Sequence, residues 1–423
     1  MPLTTLDISC HCGAAKQTVR LRGVQPPGMI DIDLCHCAAC RHSTGLLCAS
    51  YVEIENPGLR EEVFGEYVSD DGEEMGVGRL FCRMCGCHVF RRVRCSFGFG
   101  EDVWGVATGT IIGEVQGGDT KVQGWGLRLR LRLKHVEMAS TKDGGLGLFV
   151  PEFGHVEKKE GISAVPNLRD SMKKEEEEEV LNAHCQCGNV RFHITRPDDE
   201  ASMRPRSNFP DLMVPYHSGD PEEIKNPKDE TWWVRPRLSS RQEQEEEEEE
   251  EKGDGGGFGR RYLAGTCACR SCRLTSGFEI QTWAFVPRGH IFFHRVESDE
   301  EGGEETRTKK SRRVIIPLDF STLPSGILSS YESTRGSSVR REFCPRCGAT
   351  VFWRDGYRPD LLDVSVGLLD AEEGARAQTW LDWWTERVSF AEDADRGRRG
   401  GVAEFATRLV RGLEEGLGRW GGV

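Results

Sequence analysis

The chain has 423 residues, 56 basic and 69 acidic side chains and a formal net charge of −13. That length exceeds one ordinary core and points to two domains, while two glutamate runs, Glu175–Glu179 and Glu245–Glu251, carry nearly all of the charge imbalance. The rest is close to neutral, which speaks against a basic footprint for nucleic acid.

Met1–Asp7 lacks the basic-then-apolar pattern of a secretory signal. No stretch reaches the roughly 18 to 20 apolar residues of a membrane span. The expectation is a protein of the cytoplasm or nucleus, neither secreted nor held in a membrane. Reducing conditions there shift the reading of its 17 cysteines from disulfides towards metal ligands or reactive thiols.

Cys10-His11-Cys12-Gly13 comes first, followed by an alternating strand over Lys16–Leu21. Asp31–Leu34 leads into Cys35-His36-Cys37-Ala38-Ala39-Cys40 and then Ser43-Thr44-Gly45. Leu46–Val52 reads as a buried strand. Leu80–Phe90 holds Cys82-x-x-Cys85-Gly86 and opens onto another strand, and Val103–Gly109 is a further one. Leu127–Leu133 alternates Leu with Arg, the pattern of a half-exposed edge strand whose charges discourage aggregation. From Gly161 to Val180 the chain turns polar and charged, which places a boundary there.

The order then repeats. His184-Cys185-Gln186-Cys187-Gly188 matches the first pair, Cys267-Ala268-Cys269-Arg270-Ser271-Cys272 matches the triplet, and Cys344-x-x-Cys347-Gly348 matches the last pair. The Ser-Thr-Gly after the first triplet has its counterpart in Thr275-Ser276-Gly277. The pattern uses 14 of the 17 cysteines and leaves Cys48, Cys87 and Cys95, which read as small buried apolar side chains. Expected boundaries are a first domain over 1–158, an acidic linker over 159–183, a second domain over 184–395 and a helical tail over 396–423. The second domain carries insertions over about 197–260 and 298–313. These are expected to loop out, because their proline and charge content does not build a core element.

Trp380, Trp383 and Trp384 are read as packing against the second domain rather than as a wall of a pocket. Val402, Phe405, Ala406, Leu409, Val410, Leu413, Leu417 and Trp420 fall on one helical face that docks onto the protein itself.

The two cysteine groups carry different chemistry. A C-x-C and a distant C-x-x-C together supply the four thiolates of a closed, structural zinc site. Each triplet stops one ligand short, the mark of a metal that keeps a position for water or substrate. His36, His42 or Cys48 can close the first triplet. Ala268, Leu274 and the residues after Gly277 offer the second no such ligand, so the second is the stronger catalytic candidate. Thiol redox through the C-x-x-C pairs is the weaker reading, since both have distant C-x-C partners.

Cys10-x-Cys12-Gly13, Cys35-x-Cys37-x-x-Cys40 with Gly45, and Cys82-x-x-Cys85-Gly86 resemble the glutathione-dependent formaldehyde-activating enzyme and centromere protein V family, and the second set resembles it again. The resemblance implies a mainly antiparallel β fold of the Mss4-like type, as two tandem small zinc-stabilised domains. It implies up to four Zn²⁺ per chain. Cys10, Cys12, Cys82 and Cys85, and Cys185, Cys187, Cys344 and Cys347, would be structural ligands. Cys35, Cys37 and Cys40, and Cys267, Cys269 and Cys272, would be reactive-site ligands. It further implies a carbon–sulfur lyase that joins glutathione, or a similar small thiol, to formaldehyde. Arg41, Arg270 and Arg273, by proximity, are the candidates for seating the carboxylate of that thiol. The alternative is a non-catalytic zinc-stabilised binding module of the centromere protein V type. Oligomeric state has no signature in the sequence.

Overall fold

The computed structural model describes residues 5–22, 29–69, 76–95, 101–115, 130–151, 180–199, 207–235, 260–301, 308–334 and 336–421. It is mainly β, with few helices. The first half runs β1 (Thr5–Ile8), β2 (Gln17–Arg20), β3 (Met29–Cys35), α1 (Ala38–Thr44), β4 (Ala49–Ile54) and β5 (Phe64–Val68). It continues with β6 (Val77–Cys82), β7 (His88–Val93), β8 (Val103–Ala107), β9 (Ile111–Glu114) and β10 (Arg130–Val136).

The second half runs β11 (Val180–His184), β12 (Arg191–Thr195), α2 (Pro221–Ile224), β13 (Val234–Arg235), β14 (Arg261–Cys267), α3 (Arg270–Ser276) and β15 (Gln281–Pro287). Then come β16 (Ile291–Glu301), β17 (Thr308–Pro317), β18 (Ser329–Glu332), β19 (Arg340–Phe343), β20 (Thr350–Arg354), β21 (Leu361–Ser365), β22 (Leu381–Trp383) and α4 (Gly400–Gly421).

Each half builds one small and one large sheet. The orders are β2-β1-β9 and β10-β3-β4-β8-β7-β6-β5 in the first, β11-β12-β16-β17 and β13-β14-β15-β21-β20-β19-β18 in the second, with β22 added to β14. Pairing is antiparallel except where β10 lies beside β3 and β22 beside β14. Both parallel partners flank the strand that leads into a triplet. β10 is the edge strand that the Leu/Arg alternation announces. Its Arg132 and Lys134 pair with Asp31 and Asp33 of β3, while Leu133 is buried; residues 127–129 lie outside the described residues, as do both glutamate runs.

The halves interlock about a pseudo-twofold relation. The N–H of His11 donates to Leu274 O and that of Gln186 to His42 O, both at 2.9 Å. Gly109 N–H donates to Gly277 O, and its counterpart Gly367 N–H to Gly45 O. Gly45 and Gly277 end α1 and α3 in the left-handed region, at φ of 79° and 90°. A Cβ at either would sit 2.2 Å from a carbonyl oxygen of the other half, Thr350 O or His88 O, so glycine is required twice over. One hydrophobic core runs through both halves, from Ile32 and Val89 to Phe278, Val351 and Leu368. The arrangement is that of an isologous dimer interface folded into one chain.

Two insertion expectations are corrected. Residues 207–235 do not loop out: Phe209, Leu212, Trp232 and Trp233 form a core of their own with Leu263, Phe285 and Leu361. Four large apolar side chains suffice for this despite the surrounding prolines and charges. Residues 298–301 and 308–313 extend the β16–β17 hairpin, in a register that sets Glu297 opposite Arg312 and Asp299 opposite Lys310. The tail is a 22-residue helix that buries Val402, Phe405, Leu409, Leu413 and Leu417. It docks on the first half, with Trp420 edge-on to Phe149 at 5.3 Å.

Candidate functional site

The C-x-C of each half arrives after the first strand of its small sheet, and the C-x-x-C arrives on a knuckle of the large sheet. The knuckles are bulged alike, with register shifts between Leu80 and Phe81 and between Glu342 and Phe343. The result gathers Cys10, Cys12, Cys82 and Cys85 into one cluster and Cys185, Cys187, Cys344 and Cys347 into another, with all sulfurs of a cluster within 4.8 Å of one another. Cys12 Sγ lies 3.5 Å from Cys82 Sγ, and Cys187 Sγ 3.5 Å from Cys344 Sγ. All 17 cysteines are free thiols. Four sulfurs at about 2.3 Å from a shared ion stand roughly 3.8 Å apart. The clusters therefore fit a tetrahedral metal.

Cys35, Cys37 and Cys40 form a third cluster, and Cys267, Cys269 and Cys272 a fourth. In both, the middle cysteine caps a helix: Cys37 Sγ accepts from Cys40 N–H at 3.3 Å and Cys269 Sγ from Cys272 N–H at 3.2 Å. Each triplet also meets a buried arginine from its own large sheet. Arg79 Nη2 lies 3.3 Å from Cys40 Sγ; Arg341 Nη2 lies 3.7 Å from Cys272 Sγ and donates to Ser271 Oγ at 2.8 Å.

The surroundings favour the thiolate form of one sulfur in each triplet. Hydrogen bonds from Cys35 and Cys37 lower Cys40 well below the usual thiol range, with Arg79 adding to them against the cost of burial. Cys267 and Cys272 do the same for Cys269, with Arg341 beside them.

These arginines were missed in the sequence, and the nominated ones serve otherwise. Arg273 is buried and donates to Gly109 O and Arg396 O, which ties the halves together. Arg41 is buried near Asp143 and Asp370, and Arg270 is exposed. Neither His36, His42 nor Cys48 joins the first triplet. His36 Nε2 lies 2.8 Å from His135 Nδ1, His42 turns to His184 and Asp370, and Cys48 is buried apart from the cluster. Cys87 is buried as expected, but Cys95 is exposed.

A cavity of about 760 Å³ opens onto Cys267, Cys269 and Cys272. Aromatic side chains line part of it, with Trp283, Trp353, Phe285 and Phe390 joined by Trp232 and Tyr216 from the ordered insertion, and Arg341, Arg358 and Asp363 add charged groups. Trp380, Trp383 and Trp384 take no part in it; the first two are buried and the third packs against the insertion core.

The first half also contributes. His11 lines the cavity, with Nδ1 2.8 Å from the Tyr331 hydroxyl. Burial, with Arg341 and Arg270 nearby, pushes its imidazole down to about 4, so the ring is neutral at pH 7. Asp363 sits in the wall, pushed up to about 6 by burial although Arg358 Nη2 lies 2.6 Å away. His11 is legible in the sequence only as the residue between two ligands.

Residues 5–117 and 319–387 match the family model of the glutathione-dependent formaldehyde-activating enzyme. No curated protein and no solved structure matches the chain. The first matched segment contains all seven ordered cysteines of its half, the second contains Cys344 and Cys347, and the structure gathers both sets into equivalent clusters. Over these two segments the chain is similar to the glutathione-dependent formaldehyde-activating enzyme family.

Proposed function

We propose that this protein is a zinc-dependent carbon–sulfur lyase-like protein acting on adducts of glutathione, or a similar thiol, with formaldehyde or another small carbonyl. In this reading each Cys₄ cluster and each triplet takes one zinc, four per chain, and the second triplet carries the chemistry. The observation behind that choice is the cavity of about 760 Å³ at Cys267, Cys269 and Cys272.

Zinc held by three thiolates supplies the positive charge that keeps an incoming thiol ionised near neutral pH. The chain does the rest. Arg341, anchored on Ser271, offsets the negative charge of the triplet and stands where a carboxylate-bearing thiol can meet it. The cavity leaves far more room than formaldehyde needs, which suits a peptide-sized thiol. In the forward direction the thiol sulfur bonds to the carbonyl carbon, the carbonyl π pair moves to oxygen, and oxygen takes up the proton that the thiol gives up. The reverse breaks the carbon–sulfur bond.

The test compares Cys269→Ser with Cys37→Ser in the full-length protein, following S-hydroxymethylglutathione formed from glutathione and formaldehyde. Cys269→Ser is expected to lower kcat/KM at least ~100-fold, and Cys37→Ser less than ~3-fold. Equal losses would contradict the placement, and unchanged turnover in Cys269→Ser would contradict the activity.

A further inference from the structure

The geometry points to an additional metal site of a different kind, built from His42, His184 and Asp370 where the two halves meet. It takes a borderline divalent transition metal rather than a thiophilic one.

One ligand atom from each of the three residues lies within 4.8 Å of the others, and no cysteine belongs to the group. His42 Nδ1 is 2.9 Å from the carbonyl oxygen of His184. A carbonyl only accepts, so Nδ1 carries the hydrogen of that bond and Nε2 is the ring nitrogen turned to the site. Nε2 faces Asp370 Oδ1 at 3.4 Å. His184 Nδ1 lies 2.6 Å from the other carboxylate oxygen, and the two imidazoles stack at 4.1 Å.

Backing one ring nitrogen with a carbonyl is how proteins orient a metal-bound histidine. The His42 side chain is only 5% exposed, whereas those of His184 and Asp370 are 39% and 35% exposed, which leaves an open side for entry and for water ligands.

The pseudo-twofold relation supplies an internal control. Alignment of Cys40 with Cys272 sets His42 against Leu274, and alignment of Cys10 with Cys185 sets His184 against Ser9. Ala183 faces Leu369 as Ile8 faces Ile111, which sets Asp370 against Ile112. All three donors are thus replaced together at the equivalent place by residues without a ligand atom of this kind. The same backbone frame accepts leucine, serine and isoleucine, so packing does not demand two imidazoles and a carboxylate here. Two imidazoles and one carboxylate with open positions suit Zn²⁺, Co²⁺, Ni²⁺ or Fe²⁺.

Co²⁺ is the probe. Full-length protein with its cysteine clusters filled by zinc is equilibrated with micromolar Co²⁺, and bound cobalt, retained zinc and the visible spectrum are recorded. The expected result is one cobalt per chain with weak d–d absorption, no intense thiolate-to-cobalt charge-transfer band, and unchanged zinc. Asp370→Asn and His184→Ser, both at partly exposed positions, are expected to weaken that binding at least ~tenfold with zinc retained. Thermal unfolding gives a second readout: cobalt raises the midpoint of the parent protein and not of the variants. The inference is overturned if no additional cobalt binds, if bound cobalt shows the thiolate band, or if the variants bind it as the parent does.

Discussion

Arg341 reaches the second triplet from β19 and sets a fixed charge beside Cys272 and Ser271, as Arg79 does beside Cys40. Such buried charges are tolerable because each lies beside a triplet where it lowers one thiol, Cys40 for Arg79 and Cys269 for Arg341. Two nearby groups respond to burial in opposite senses. Asp363 is pushed up to about 6 from an ordinary 3.8, so between those values the native protein keeps a proton that the unfolded chain has lost. Its contribution to stability therefore falls as pH rises through that window, by about 3 kcal/mol at most. His88 is pushed down to about 4 from 6.5, by burial and then by Arg79. The unfolded chain binds a proton that the native protein refuses, and its contribution rises with pH over about 4 to 6.5. Removing the opposing carboxyl should expose the histidine term. Urea unfolding of Asp363→Asn between pH 4 and 6.5 is expected to show a steeper rise in stability with pH than the parent. An equal or shallower rise would contradict a buried, protonated Asp363.

At the scale of elements, the insertion over 207–235 turns a sheet edge into a cavity wall. Trp232 is its anchor, edge-on to Phe285 at 5.0 Å and donating from Nε1 to Ser207 O at 3.3 Å. Trp232→Ala should cost about 3 to 5 kcal/mol within this small core. If the proposed reaction uses the cavity, the variant raises KM for the thiol more than it lowers kcat. A normal KM would place the thiol elsewhere. Sequence reading treats this segment as a loop because its local composition is dominated by prolines and charges, while the partners of its tryptophans, Leu263, Phe285 and Leu361, lie well beyond it in the chain. The cysteine clusters were legible for the converse reason: each C-x-C and C-x-x-C is local, and only the pairing of distant pairs had to be inferred. Arg79 and Arg341 were not, because 39 and 69 residues separate them from the cysteines they meet and neither belongs to a spaced motif.

For the whole molecule, the repeat is more than two beads on a linker. Reciprocal bonds from His11 and Gln186, and the close approaches at Gly45 and Gly277, make each triplet helix a part of the other half's packing. Reading the repeat as two copies captures the order of elements but not this interlocking, since no local pattern marks a glycine as facing a carbonyl of the other half. The interlocking lets His11 line the second cavity, so the candidate site belongs to the whole chain.

The proposed function gives the molecule two closed Cys₄ zinc sites and two open three-thiolate sites. Zinc content per chain, before and after dialysis of the full-length protein against millimolar glutathione, tests it most directly. Four ions falling to two is the expected result. Two ions throughout would contradict it and leave a zinc-stabilised binding module without the proposed chemistry.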